Sequence, residues 1–406
     1  MRRGNLSEYF TGVVVKDLSE VETNPKKSNQ HEFNGSAALR ALLGSEEPLR
    51  IPTKFLWIGA EQEQVEAIDG TLTWYDSRRD TPGRTEYRLY YESNSITDLI
   101  AVGDSFFLAL RNDKSALAVF TPTDGTMYNQ LLWLFGVEHG NQASFVFQPV
   151  TGTDQGELDF AARSVLEAIA VEPEEAELDL IENLTEKFGV NMPRPAILSV
   201  LARESIGTEV ALDDPDRAIV DWMERETQLF RRIERRIVSE RISEGFYLNG
   251  NSDVDSFISF SLSVQNRRKS RAGLALESHI GAVLDAHAIK YARGAVTENG
   301  NKPDFLFPGD QEYRDLKFPS AGLTMLGAKS SIKERWRQVL SEAERITPKH
   351  LLTLEPSISE AQTDEMQAKN LRLVVPRGIH KTFKPLQQSW LYSFSDFIEL
   401  VRGKEL

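Results

Sequence analysis

Two residues in the second half of the chain have the type and spacing to act on a phosphodiester. Asp304 closes the turn-forming string Asn299-Gly-Asn-Lys-Pro-Asp304 and opens the apolar run Phe305-Leu-Phe307, so a loop delivers a carboxylate to the start of a buried strand. Lys329 follows a second short apolar run, Leu323-Thr-Met-Leu-Gly-Ala328. A carboxylate can hold a divalent cation that lowers the pKa of a water, and a neighbouring ammonium can stabilise charge building on phosphorus. Asp304 suits Mg²⁺, which prefers carboxylate oxygen and keeps several waters. A second carboxylate two residues before the lysine would complete such a site, but Gly327 stands there. A plain turn followed by an exposed lysine has the same spacing, so the surrounding elements must decide.

The nearest candidate for the missing acid is Glu277. A helix predicted over residues 274–287 gathers Leu276, Ile280, Val283, Leu284 and His287 into one apolar arc, with Glu277 at its flank. Just before it lies Asn266-Arg-Arg-Lys-Ser-Arg-Ala-Gly273. Cations entering a helix N-terminus oppose its dipole unless an anion sits there, and DNA phosphates or guanine edges would supply one. A solvated basic turn reads equally well. Arg335, near the start of a helix predicted over 331–345, is placed to contact a scissile phosphate. Tyr313, on the loop between the two strands, is placed to line a cleft.

Stepping outward, residues 191–406 read as α/β. Helices are predicted at 195–202, 215–240, 254–264, 274–287, 331–345, 359–368 and 395–402, and strands at 305–307, 324–328, 350–354 and 371–375. Their alternation implies a mixed sheet covered by helices. The alternating Arg and Glu at the end of the 215–240 helix suit a salt-bridged face better than a DNA contact. Residues 1–150 read as all-β, a barrel or sandwich, with a turn at Asp69-Gly70 and a closing helix at 129–137. Inside this block Arg78, Arg79, Arg84 and Arg88 cluster around a Pro-Gly loop with Glu86. At strand periodicity Arg84, Glu86 and Arg88 share a face. Arg can read guanine and Glu can accept from cytosine, although a hairpin with a cross-strand ion pair has the same pattern.

Charge is unevenly spread. The net charge of −14 divides into −6 over residues 1–150, −9 over 151–190 and +1 over 191–406. The middle segment is therefore expected to be an acidic linker carrying two short amphipathic helices, at 158–169 and 177–188. Another reading is that its acidity mimics DNA and competes for a basic cleft. Local basic clusters, not overall charge, would have to carry any DNA binding. Cysteine is absent, which excludes disulfides and Cys-ligated zinc and fits a reducing cytoplasm. No secretory signal or membrane-spanning run is expected.

Val264-Gln-Asn-Arg-Arg-Lys-Ser-Arg-Ala-Gly273, Lys302-Pro-Asp-Phe-Leu-Phe-Pro308, Lys333-Glu-Arg-Trp-Arg-Gln338 and Leu371-Arg-Leu-Val-Val-Pro376 together resemble the C-terminal catalytic domain of the EcoRII-type restriction endonucleases. The resemblance implies a variant PD-(D/E)XK site in which the second acid has moved to a helix. Glu277, Asp304 and Lys329 match its positions, with Asp304 and Glu277 as Mg²⁺ ligands. Arg335 and Tyr313 fall in its active-site region. Arg268, Lys269 and Arg271 match a segment that contacts bases or backbone. The Tyr75-to-Arg88 stretch resembles the recognition segment of the family's N-terminal effector domain, a DNA-binding pseudobarrel, with Arg78, Arg84, Glu86 and Arg88 as contacts.

The resemblance further implies a homodimeric enzyme cutting double-stranded DNA before the first cytosine of a CCWGG-like site. An extra copy of the site bound by the N-terminal domain would relieve autoinhibition, and a cognate DNA cytosine methyltransferase is expected. Two alternatives stay open: a nuclease directed at modified or phage DNA through a diverged N-terminal domain, and a non-cleaving site-specific DNA-binding protein.

Overall fold

The computed structural model describes residues 5–23, 32–45, 49–59, 64–79, 83–138, 140, 143–150, 159–172, 178–332 and 336–404. The chain divides into two compact units: Arg2–Glu174 with Pro356–Ala361, and Glu175–Glu355 with Gln362–Leu406.

The N-terminal unit is built on strands β1 (Phe10–Asp17), β2 (Glu32–Asn34), β3 (Leu49–Ile58), β4 (Val65–Asp76), β5 (Tyr87–Tyr91), β6 (Asp104–Arg111), β7 (Ala116–Pro122) and β8 (Val146–Pro149). They form one eight-stranded sheet in the order β2-β5-β4-β3-β7-β6-β1-β8. Its pairs are antiparallel except β3 with β7. Alternating side chains fill a core on each face, one around Phe10, Leu56 and Leu131, the other around Phe33, Phe55 and Trp74. The block is rich in strands as expected, and the closing helix expected at 129–137 is Thr126–Phe135.

Asp69-Gly70 is not a turn. Gly70 lies within β4 opposite Thr53, and a Cβ there would come within 2.9 Å of the Phe55 ring. The glycine admits an aromatic ring instead of reversing the chain. The helix Ala37–Leu43, which carries buried Leu39, Leu42 and Leu43, also went unanticipated.

The acidic segment is divided between the two cores. Helix Phe160–Ala168 buries Val165 and Leu166 in the first unit, while helix Leu178–Thr185 buries Ile181 against Leu229 and Ile233 in the second. Arg232 and Arg236 both donate to Glu182, so part of the segment's acidity serves as partner to a basic helix.

The C-terminal unit adds a two-stranded ribbon, β9 (Tyr247–Leu248) with β10 (Asn251–Ser252), and a five-stranded sheet of β11 (Ala292–Arg293), β12 (Phe305–Phe307), β13 (Thr324–Ala328), β14 (Lys349–Leu352) and β15 (Leu371–Val374) in that order. β11, β12 and β13 pair antiparallel, and β13, β14 and β15 pair parallel. This is the mixed sheet the sequence implied.

Two long helices pack in this unit, Pro215–Glu244 and Val254–Ala286. The second runs uninterrupted through residues 266–273, where separate helices were expected. Asp253 caps it by accepting from Ser256 N–H, and a Cβ at Gly273 would meet open space, so neither crowding nor a stop signal breaks it there. The basic cluster is therefore mid-helix, and the argument that it needs an anion at a helix N-terminus falls.

Candidate active site

Asp304 and Lys329 meet because β12 and β13 are antiparallel neighbours in which Phe305 pairs with Leu326. Asp304 enters the first strand and Lys329 leaves the second, so both side chains project from the same end of the pair. Lys329 Nζ donates to Asp304 Oδ2 at 2.8 Å, and the same oxygen accepts Ala328 N–H at 2.7 Å. Lys329 N–H donates to the Leu352 carbonyl at 3.0 Å, fixing the lysine to the end of β14. Both side chains are partly buried, at 20% and 16% exposed, so the pair is preorganised yet open to solvent on one side.

The face of Gly327 is closed. A Cβ there would stand 3.0 Å from Val339 Cγ2 and 3.5 Å from Leu351 Cδ1, so no acid fits where a second carboxylate would ordinarily follow. A carboxylate that feels the charges of Asp304 and Lys329 lies three residues beyond Val339 in the chain, at Glu342. The Glu342 carboxyl is pushed up to about 7, chiefly by burial and then by the charge of Asp304, against the pull of Lys329 and Lys349. Glu342 Oε2 is buried and has no hydrogen-bonding partner.

The sequence hid Glu342 inside a helix expected over 331–345. Among the described residues the helix there is only Trp336–Val339, and Ala343, at φ +47°, turns the chain out of it. No local pattern announces that turn.

Glu277 is held elsewhere. Its Oε2 accepts from Arg293 Nη2 at 2.9 Å, and Arg293 pairs with Phe305, the residue after Asp304. Glu277 thus reaches the Asp304 strand through a guanidinium. Among the described residues no group of three or more His, Asp or Glu is disposed to hold a metal ion, so Asp304, Glu277 and Glu342 do not form a ready three-carboxylate cage. The charges of Asp304 and Lys329 act on Glu342, while Glu277 is engaged by Arg293.

Tyr313 is also relocated. It is buried rather than lining a cleft, and its hydroxyl donates to Glu298 Oε2 at 2.5 Å. Burial, then that hydrogen bond, push its hydroxyl well up, so it remains a donor. Arg335 lies outside the described residues, as does the side chain of Lys269.

Of the basic cluster, Arg268 is exposed and donates to buried Glu234 at 2.6 Å. Arg271 turns inward: it is 9% exposed, its guanidinium lies 4.6 Å from the Phe230 ring centre, and it donates to Thr227 Oγ1 at 3.2 Å. In this position it supports the helix pair.

In the N-terminal unit Glu86 joins Arg78 and Arg88 in one ion-pair chain, and the hydrogen bonds from Arg78, then Arg88, hold its carboxyl below the usual range. Arg88 also donates to Asn34. Arg84 is exposed in the loop before β5, so Arg84, Glu86 and Arg88 do not form a strand row.

The site is thus an aspartate and a lysine at the ends of adjacent strands of a mixed sheet, within a multidomain α/β chain. Residues 230–398 match the family described as EcoRII C terminal. The chain is 40% identical over 191 residues to the type II restriction enzyme EcoRII of Escherichia coli, covering 47% of this chain and 46% of that enzyme. It is 28% identical over 149 residues to the type II restriction enzyme SsoII of Shigella sonnei, covering 34% of this chain and 48% of that enzyme. The chain thus spans about half the length of the curated relatives it matches.

Two solved structures are similar. One is metal-depleted Ecl18kI in complex with uncleaved, modified DNA, at 21% identity and a TM-score of 0.45, covering 56% of this chain and 82% of that one. The other is the same protein with uncleaved DNA, at 20% identity and a TM-score of 0.44, with the same coverage.

Proposed function

We propose that this protein is a Mg²⁺-dependent type II restriction endonuclease that cleaves double-stranded DNA at a CCWGG-like site before the first cytosine. The observation that carries the reading is the 2.8 Å contact of Lys329 with Asp304, made within the segment that matches the EcoRII C-terminal family.

The residues present fit a divalent cation. Among the described residues, Glu342 offers a buried oxygen without a partner, and Asp304 a carboxylate whose Oδ2 is engaged by Lys329 and Ala328. Two carboxylates plus retained waters suit Mg²⁺. Asp304 and Glu342 would hold the ion, which when bound activates water and neutralises phosphate charge. Lys329 would orient the attacking water or stabilise charge on the phosphate, held in place by its backbone bond to Leu352. Glu277 keeps Arg293 turned toward the Asp304 strand, and the guanidinium serves as a cation at the edge of the site. Arg335, Arg268 and Lys269 are assigned to DNA contact, and Arg271 to their support.

The N-terminal unit is read as the effector domain, a DNA-binding pseudobarrel with Arg84 as its exposed contact and Arg78, Glu86 and Arg88 as a shared charged cluster. It would bind a second copy of the site and relieve autoinhibition of the nuclease. The enzyme is read as a homodimer paired with a cytosine methyltransferase. Asp304→Ala tests the site: with Mg²⁺ it should bind a CCWGG duplex and leave it uncut. Cleavage at the parent rate would overturn the assignment.

A further inference from the structure

Asp304 and Glu342 come from distant parts of the chain, yet one loop governs both. Residues 297–301, directly before Lys302-Pro303-Asp304, bond to the turn that carries Glu342 at four points. Asn301 Nδ2 donates to the Ser341 carbonyl at 2.7 Å. Thr297 Oγ1 accepts Ala343 N–H at 3.4 Å, and Glu298 Oε2 accepts Glu344 N–H at 3.2 Å. Asn299 Nδ2 donates to Glu344 Oε1 at 3.0 Å.

The turn needs these partners. It leaves the Trp336–Val339 helix through a left-handed, buried alanine, and an N–H buried there without an acceptor would be costly. Lys349 Nζ braces the far side by donating to the Ala343 and Ile346 carbonyls at 3.0 and 3.1 Å. Among the described residues, Glu342 Oε2 has no such partner. Its position is therefore set by the backbone on either side, and that backbone is set by the 297–301 loop. Glu298 is fixed in turn by the Tyr313 hydroxyl.

We propose that Asn301 and Glu298 are positioning residues for the metal-binding carboxylates, clamping the 341–345 turn so that Glu342 is held beside Asp304 before a cation arrives. The proposal rests on the nuclease reading above. It assigns Tyr313 a structural place behind Glu298, outside the reacting groups. A loop that carries one carboxylate and clamps the other couples their separation to its own geometry.

The test uses the full-length protein with Asn301→Asp, which keeps the shape but removes the donor, and Glu298→Gln, which keeps an acceptor but removes the charge. Ca²⁺ is titrated calorimetrically into the complex with a CCWGG duplex, alongside the half-saturating Mg²⁺ for cleavage, metal-free DNA affinity and the melting temperature. Asn301→Asp should weaken Ca²⁺ and raise the half-saturating Mg²⁺ about tenfold, as loss of outer support for metal ligands does. Glu298→Gln should do so less, while metal-free DNA affinity and melting temperature stay near the parent's.

Unchanged metal affinity in Asn301→Asp, or a loss that only follows a falling melting temperature in both variants, overturns the clamp. If Asn301→Asp does not fold, unchanged metal affinity in Glu298→Gln overturns it and weakened affinity supports it. Asp304→Ala separates the two ideas. If it cleaves normally the nuclease site itself is misplaced, whereas if it is inactive and the clamp variants bind metal normally, only the clamp fails.

Discussion

A methyl group built on Gly327 would lie 3.0 Å from Val339 Cγ2. The strand carrying Lys329 is thereby packed shut at the position where an acid two residues before the lysine would sit. Glu342, just past Val339 in the chain, is the carboxylate proposed for that role. An acid restored at Gly327 should therefore not compensate for a lost Glu342. Gly327→Asp alone is expected to cost roughly 1–3 kcal/mol through overpacking, with more for the buried charge. Gly327→Asp/Glu342→Ala should remain inactive. Chemical denaturation and a plasmid cleavage assay check both, and recovered cleavage in the double variant would return the second acid to the strand.

Glu342 also predicts a pH dependence. Its carboxyl is raised from the ordinary 4.5 to about 7, mainly by burial. In the metal-free fold it thus binds a proton more tightly than in the unfolded chain. The stability this contributes is complete below pH 4.5 and is lost as pH rises through 7. Glu342→Gln removes that dependence, so the variant should melt a few degrees above the parent at pH 8, with the gap closing toward pH 5. Mg²⁺ should raise the parent's melting temperature at pH 8 and leave that of Glu342→Gln little changed, because a bound cation favours the deprotonated carboxylate. Differential scanning calorimetry with and without Mg²⁺ decides it.

These two residues mark the limit of what was legible in the sequence. Apolar runs located β12 and β13 because short buried strands bounded by turn residues are local signals. The arc of Leu276, Ile280, Val283 and Leu284 is buried as its periodicity implied. Glu342 was not legible, because its approach depends on a left-handed alanine and on hydrogen bonds from a loop some forty residues earlier, neither of which leaves a periodic trace. Gly70 misled for a related reason: whether a glycine turns a chain or admits a ring is decided by the neighbouring strand.

Arg268 and Arg271 lie one turn apart on the same helix and should respond differently. Arg271 stacks on Phe230 and lies 3.9 Å from fully buried Glu226. Arg271→Ala removes packing and strips a cation from a buried carboxylate, and is expected to cost about 3 kcal/mol of stability. Arg268→Ala should lower DNA affinity several-fold and reduce the salt dependence of binding by about one ion, in addition to the stability lost by stripping its cation from buried Glu234. Urea denaturation and salt-dependent binding titrations distinguish them. A stable Arg271→Ala with altered site preference would restore that arginine to the DNA-reading set.

The division of the acidic segment tells where a truncation should be made. Helix Leu178–Thr185 belongs to the C-terminal unit, where Ile181 is buried and Glu182 pairs with Arg232 and Arg236. Deleting residues 1–185 would remove that helix, leave the two arginines without their carboxylate and expose Leu229 and Ile233. Deleting 1–174 keeps it. If the N-terminal unit restrains the nuclease, the fragment beginning at residue 175 should cleave DNA bearing a single site at least as fast as the full chain, and should no longer respond to an added duplex carrying a second site. The 1–185 deletion should melt lower than the 1–174 deletion. A folded 1–174 deletion that cannot cleave, while the full-length protein does, would refute autoinhibition and make the N-terminal unit a required part of the active enzyme.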